Sequence, residues 1–294
     1  MTLAAAQPQG AVPEPAASEP EASGQVLELT GERTPVRLLV SDLIRRRHLL
    51  PMLASRDFRA RYRSASLGTA WAVLLPLFQG TVLAIVFSQL VRIQTRTNYA
   101  AFVMVGMMSW TYLTSSVQLS ASSIVDQSDV AGRVYFPRLF LPGMAVLANT
   151  PALAIGLVIV VPLSVILGVD PTPRLFALPL AVVLAVLVAY AFGAPLALLN
   201  VYFRDVRYLL IAALQALMYG SPVIYPLSQL GHLRELMAIN PATGVIELSR
   251  WSFNANNGDP LMIPILGSVG WVLILTVVTL VSYSKHERLA CDRL

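Results

Sequence analysis

The sequence predicts an all-α integral membrane protein with six transmembrane helices. Hydrophobic residues make up 56% of the chain and charged residues 13%, whereas about 25% of a soluble domain is charged. Because polar backbone groups must pair internally in lipid, spanning segments of this composition favour helices. Six windows lack Asp, Glu, Lys and Arg, and each exceeds the roughly 20 residues that a helical span requires. They are 64–91, 97–125, 139–169, 175–203, 208–233 and 260–284.

Two segments precede the first span. Residues 1–35, rich in Ala, Pro, Glu and Ser, are predicted to be a disordered cytoplasmic tail. Residues 36–66 are predicted to form an amphipathic helix at the cytoplasmic interface, interrupted at Pro51. This helix ends in a basic patch that suits either lipid anchoring or a specific site, and the sequence leaves both readings open. The patch consists of Arg56, Arg59, Arg61 and Arg63.

Basic residues predict the orientation of the six-span domain, 67–284. With the N-terminus inside, most Arg residues and the single Lys face the cytoplasm, which is the usual bias. Both termini are therefore expected to be cytoplasmic, including the C-terminal tail 285–294. The few basic residues left outside are Arg92, Arg96, Arg174, Arg234 and Arg250.

The last outer loop is too long for a simple turn. Pro222 and Pro226 are expected to end the fifth span, because proline cannot continue a helix. Two short re-entrant helices, 228–239 and 243–253, are predicted to follow, with Asn240-Pro241 between them.

Several activities are excluded by missing residues. Ion-coupled carriers place ionisable side chains inside the membrane, but His232 is the only such residue in the windows. A phosphate-binding loop needs a Gly-Lys pair, whereas Lys285 follows Ser284. We expect no catalytic residue, no metal site and no cofactor bound by this chain, so energy for transport must come from a partner. A passive channel and a structural membrane protein remain alternative functions.

Aromatic residues recur in the first, second and fifth windows. Their faces suit stacking on sugar rings if they line a conduit, and otherwise suit the membrane interface. The residues predicted to line a conduit are Phe78, Phe87, Trp110, Tyr112, Tyr219 and Tyr225.

Several stretches resemble the type-2 ABC export permeases, in particular the branch for O-antigen, teichoic acid, capsule and related cell-surface polysaccharides. The likeness covers roughly 40–285. The stretches that carry it are 56–71 with 74–77, 134–138 with Leu141-Pro142, 202–206, 221–225 and Asn240-Pro241.

The resemblance implies a homodimer in the bacterial cytoplasmic membrane, bound to two copies of a separate ATPase subunit that carries ATP and Mg. The first and fifth spans of both copies would enclose a conduit for a lipid-linked polysaccharide, with the basic patch at its entry. Expected contacts with the ATPase are Asp126, Asp129, Arg133, Arg138, Arg204 and Asp205. The expected outer gate comprises Pro222, Pro226, Asn240 and Pro241.

Two other functions stay open. An exporter of a drug or small lipid would share the six spans, although the 64–71 motif and the aromatic residues favour polysaccharide. An intramembrane enzyme acting on polyprenyl-linked sugars would need acidic residues at the membrane face, but Asp126 and Asp129 lack a third acid nearby. No nucleic-acid partner is expected, since the basic residues that raise the pI to about 9.6 mark the cytoplasmic face.

Overall fold

The computed structural model describes residues 41, 45, 48–62, 67–91, 95–127, 138–256 and 258–286. Within these residues the regular elements are helices, which confirms the predicted all-α class. The predicted tail 1–35 lies outside the described residues. The α-helices are α1 (Leu49–Tyr62), α2 (Trp71–Val86), α3 (Tyr99–Asp126), α4 (Phe140–Ile166), α5 (Leu178–Tyr202), α6 (Val206–Tyr219), α7 (Arg234–Ala238), α8 (Pro241–Ser252) and α9 (Met262–His286).

Five helical segments in this part of the chain are long and apolar enough to cross a membrane. They are Gly68–Gln89, Tyr99–Asp126, Phe140–Ile166, Pro173–Tyr202 and Met262–Lys285. Each coincides with one of the predicted windows. In the remaining window, the 14-residue apolar helix α6 is followed by non-helical chain, so the count of six spans stays a prediction.

α3 lies at the centre of the bundle, where it packs against α2, α4, α5, α6 and α8. Its contact with α5 is close, because a Cβ atom at Gly193 would overlap the Ser120 side chain. Small residues allow helix backbones to approach in this way inside membranes. The central position of α3 means that polar side chains on its surface face other helices.

α1 packs against α4 through the buried Ala54 and the partly buried Leu50 and Leu53. α1 begins at Leu49, directly after a turn at His48, and contains Pro51 in its first turn, so the predicted interruption lies just before the proline and not within α1. Proline is tolerated in a first turn because the N–H groups there have no partner within the helix.

Two short helices, α7 and α8, occupy the predicted outer loop and are separated at Asn240-Pro241. The Asn240 side chain caps α8 by accepting a hydrogen bond from the Ala242 N–H at 3.0 Å. Pro241 follows at the first helical position, where its fixed φ favours helix initiation. α8 packs against α3, α5 and α9 and is almost entirely buried. That these helices re-enter a membrane stays a prediction.

Candidate functional site

A cavity of about 400 Å³ lies between α1, α2, α3, α4 and α6. Most of its polar lining comes from one face of α3, where residues three or four apart lie above one another. Next to this face, α4 contributes the amide of Asn149. The polar lining residues of α3 are Thr111, Tyr112, Ser115, Gln118 and Ser122.

Hydrogen bonds between α3 and α4 fix this polar wall. The Asn149 Nδ2 donates to Ser115 Oγ at 2.8 Å and to Ser116 Oγ at 2.9 Å. The hydroxyl oxygens of Tyr112 and Thr150 are 3.1 Å apart. Hydrogen bonds of this kind hold neighbouring membrane helices in register. The lining is therefore preorganised by the bundle.

Two arginines lie at one end of the cavity. Arg61 is in the last turn of α1, where its Nη2 is 2.9 Å from the Asp57 carboxylate. Arg207 is in the first turn of α6, with its Nη1 4.0 Å from Asp126 at the end of α3. Both ion pairs are partly exposed, and such pairs contribute little to stability. The two guanidinium groups therefore suit binding of an anion, phosphate above all.

One side of the cavity is bordered by exposed apolar residues. Trp71 is 41% exposed and Leu75 52% exposed on α2, and Ile211 is 37% exposed on α6. α6 contains no buried residue among its described positions. The cavity thus has its floor on α3 and an uncovered edge between α2 and α6.

Beyond α6, side chains satisfy the carbonyl groups of the non-helical segment. Carbonyls that lack a helical partner must find donors elsewhere, since unpaired buried ones are costly. The donor hydroxyl or N–H groups come from three parts of the chain. The bonds run from Tyr225 to Tyr219 O (2.8 Å), Asn240 to Gly220 O (3.4 Å), Arg250 to Pro222 O (2.6 Å) and Val223 O (2.5 Å), and Tyr99 to Ile224 O (2.8 Å).

Arg250 is fully buried and pairs with Glu247, with 2.8 Å between Nη1 and Oε1. Its Nε donates to Phe102 O at 3.1 Å, and its guanidinium carbon lies 3.5 Å from the centroid of the Phe102 ring. Burial raises the pKa of the Glu247 carboxyl and lowers the pKa of the Arg250 guanidinium, while contact between the groups opposes both shifts. The pair joins α8 to α3 and to the segment after α6.

The arginines of the predicted basic patch occupy different places in the structure. Arg56 and Arg59 are exposed on α1, whereas Arg61 lines the cavity. Arg63 lies outside the described residues. Arg207 completes the charged end of the cavity, whereas the sequence had placed it only in the short loop 200–207, a second expected contact with the ATPase.

The aromatic residues predicted to line a conduit occupy different environments. Tyr112 lines the cavity, and Trp110, which is 5% exposed, packs in the core of the chain. Phe78 and Tyr219 are 69% and 65% exposed. Phe87 and Tyr225 are partly buried. Their role as a conduit lining stays a prediction.

Of the residues predicted to contact the ATPase, Asp126 lies beside Arg207 at the charged end of the cavity. Arg204 and Asp205 are exposed between α5 and α6, and Arg138 is buried before α4. Asp129 and Arg133 fall outside the described residues. Among the predicted gate residues, Pro222 and Asn240 both belong to the network around the segment after α6.

Sequence reasoning missed Glu247 and counted Arg250 only among the basic residues outside the membrane. A signal was present, because the two residues are three apart in an otherwise mostly apolar helix and are therefore adjacent on its surface. Gln118 and Asn149 were also missed. Among the described residues there is no cluster of three or more metal-ligating side chains.

A bundle of apolar helices around a cavity that has one polar face, on α3, and two arginines among its lining residues is typical of an integral membrane transport protein. The match to a family model agrees with that class: the model for the ABC-2 type transporter matches residues 48–254. The chain belongs to this family.

Three curated relatives are similar over most of their length. The O-antigen export system permease protein RfbA of Myxococcus xanthus is 31% identical over 255 residues, covering 85% of this chain and 97% of the relative. Two proteins of the same name from Klebsiella pneumoniae are 25% and 23% identical over 239 residues, covering 81% of this chain and 91% of each relative.

Proposed function

We propose that this chain is the permease subunit of an ATP-driven exporter that moves a lipid-linked cell-surface polysaccharide across the bacterial cytoplasmic membrane. The observation that carries the proposal is the cavity between α2, α3 and α6, with Arg61 and Arg207 at one end. The relatives named as O-antigen export permeases support polysaccharide as the substrate class.

The chemistry of the cavity suits the junction between lipid diphosphate and sugar. Arg61 and Arg207 present donors for phosphate oxygens at the cytoplasmic end. The hydroxyl and amide groups of Thr111, Ser115 and Gln118 can exchange hydrogen bonds with successive sugar hydroxyls. Neutral contacts of this kind are individually weak, which allows a polymer to slide.

A second copy of the chain would close the cavity. The uncovered edge between α2 and α6 carries apolar residues such as Leu75 and Ile211, which suit contact with another apolar surface. In such a homodimer the two cavities would face each other and form one conduit. Phe78 and Tyr219, both largely exposed in the single chain, would then lie along it.

In this arrangement α6 and the segment after it form the fifth of six spans, and α7 and α8 re-enter from the outer side as the gate. The bonds to Pro222 O, Val223 O and Ile224 O allow non-helical backbone at that depth, because they supply the donors that lipid lacks. Both termini lie in the cytoplasm, with 1–35 and 285–294 as tails and 36–66 as the interface helix.

Energy for export comes from two copies of a separate ATPase subunit, which bind ATP and Mg. Asp126 and its neighbour Arg207 connect the cytoplasmic end of α3 to the mouth of the cavity. Movement of the ATPase against this end would therefore be transmitted directly to the substrate site. Asp129, Arg133, Arg138, Arg204 and Asp205 complete the proposed contact.

The test is export by the chain and its ATPase subunit in a strain that lacks its own permease. Gln118→Leu and Arg207→Gln should leave assembly intact and reduce the amount of polysaccharide at the cell surface. Lys285→Gln, at an exposed position near the end of α9 and outside the cavity lining, is the matched control for loss of a charge. Normal export by both cavity variants would overturn the proposal. ATP hydrolysis stimulated by drugs, but not by lipid-linked sugar, would favour a drug exporter.

A further inference from the structure

A second cavity, of about 500 Å³, lies at the opposite end of α3 from Arg207. It is formed where the chain enters α3, α5 and α9 and where it leaves α8. None of its residues belongs to the sites described above. Its lining residues include Arg96, Arg174, Trp251, Asn254, Gly258 and Asp259.

Two guanidinium groups are held in place at this cavity. The Arg174 guanidinium lies 5.2 Å from the centroid of the Trp251 ring, and its Nη1 donates to Asn254 Oδ1 at 3.2 Å. Asn254 uses only one of the five N–H groups of Arg174, so the fork retains donors. The Arg96 guanidinium packs on Gly258, where φ is +81° and an added Cβ would overlap it. This pair of cations suits a phosphate group.

The cavity also contains a buried carboxylate. The Asp259 side chain is 3% exposed, and its Oδ1 is 3.5 Å from the Arg234 Nη2. Its Oδ2 is buried and has no hydrogen-bond partner among the described residues. A buried carboxylate oxygen without a donor is unfavourable. A ligand that brings N–H groups to Asp259 would remove that cost.

Exposed apolar side chains flank the cavity. Phe176, two residues after Arg174, is 88% exposed, and Met262, which follows Leu261, is 68% exposed. They begin the apolar segments Pro173–Tyr202 and Met262–Lys285. In a membrane protein such side chains meet lipid, and Trp251 is a residue type enriched at headgroup depth. The cavity therefore lies where lipid headgroups are found.

We propose that this cavity binds the phosphoethanolamine headgroup of a phospholipid in the outer leaflet. The phosphate lies against Arg96 and Arg174, and the ammonium group donates to the unpaired Oδ2 of Asp259. A phosphocholine headgroup satisfies the arginines but has no N–H to donate, and phosphoglycerol lacks the positive charge. The site should discriminate among headgroups of the same acyl composition.

The test is native mass spectrometry of the purified full chain with phosphatidylethanolamine, phosphatidylcholine and phosphatidylglycerol of identical acyl chains. The wild type is expected to retain phosphatidylethanolamine several-fold more than the other two lipids. Asp259→Asn should abolish this preference while lipid binding persists. Arg174→Gln should lower retention of all three lipids. Lys285→Gln, at the far end of α9, is the control and should change nothing.

Equal retention of the three lipids by the wild type would overturn the proposal, as would an unchanged preference in Asp259→Asn. A measurement on the wild type alone keeps the proposal testable if the Asp259 variant does not fold. Glycerophosphoethanolamine should protect residues 251–262 from hydrogen exchange more than glycerophosphocholine does. Protection by a soluble oligosaccharide, without any by glycerophosphoethanolamine, would assign the cavity to sugar and contradict the lipid site.

Discussion

Arg250 and Glu247 lie one helical turn apart on α8 and form an ion pair with both side chains completely buried. The same guanidinium donates to Phe102 O on α3 and to Pro222 O and Val223 O after α6. A single side chain thus connects three parts of the fold that are far apart in sequence. This relationship makes the end of the bundle formed by α8 and the segment after α6 sensitive to small changes in side-chain shape.

Replacement of Arg250 by Lys should destabilise the protein although the charge is kept. Lysine cannot reproduce the planar fork that reaches Glu247 and three carbonyls. Each buried carbonyl left without a donor costs about 1–3 kcal/mol, so we expect a clearly lower Tm in detergent. Arg234→Lys, at a partly exposed ion pair, is the control. Equal melting temperatures for both variants would show that the buried network contributes little.

Gly106→Ala should disturb the same network from the side of α3. The added Cβ would lie 2.6 Å from Arg250 Nη2 and 3.0 Å from Val223 O. Overpacking of this kind costs about 1–3 kcal/mol, measured as a shift in thermal unfolding. Gly270→Ala on α9 is a close control, because nothing lies within 4 Å of its added Cβ. Alanine favours helix over glycine there, so that variant should be neutral or slightly more stable.

The purified chain should not hydrolyse ATP on its own and should gain activity only with its ATPase subunit. Asp126→Asn weakens the contact with Arg207 at the cavity mouth, so it is expected to lower export while hydrolysis continues. The measurement is the ratio of polysaccharide exported to phosphate released. Asp170→Asn, at an exposed position between α4 and α5, is the control. Substantial ATP turnover by the isolated chain would contradict the assignment of energy to a partner.

Cysteine labelling should separate conduit residues from lipid-facing ones. With Cys291 replaced by serine, cysteines at Phe78, Phe87, Tyr112 and Tyr219 are expected to react with water-soluble thiol reagents in the ATP-trapped complex. Val278, 45% exposed on α9, provides the lipid-facing control and should stay unreactive. If position 78 behaves like position 278, the exposed face of α2 meets lipid and the proposed lining is wrong.

The helical class and five of the spans follow from charge-free windows, because hydrophobic length alone decides which segments can cross a bilayer. The start of α8 was also predictable from Asn240-Pro241, since capping is a local property. The orientation of side chains within the spans could not be predicted from the sequence. Phe78 and Trp110 both occur in windows without charged residues, yet one is exposed and the other buried. The spacing of Glu247 and Arg250 indicates that they are adjacent, but the carbonyl partners of Arg250 are distant in sequence, and no local pattern reveals them.

α6 is 14 residues long, which corresponds to about 21 Å of helix, whereas the hydrocarbon core of a bilayer is about 30 Å thick. The segment that follows α6 cannot continue as helix, because its carbonyls are fixed by Tyr99, Asn240 and Arg250. In the proposed six-span arrangement the helical part of this span is therefore shorter than the bilayer, which is a form of hydrophobic mismatch. Bilayer thickness around α6 should influence how the protein works, and shorter acyl chains should favour export in reconstituted vesicles.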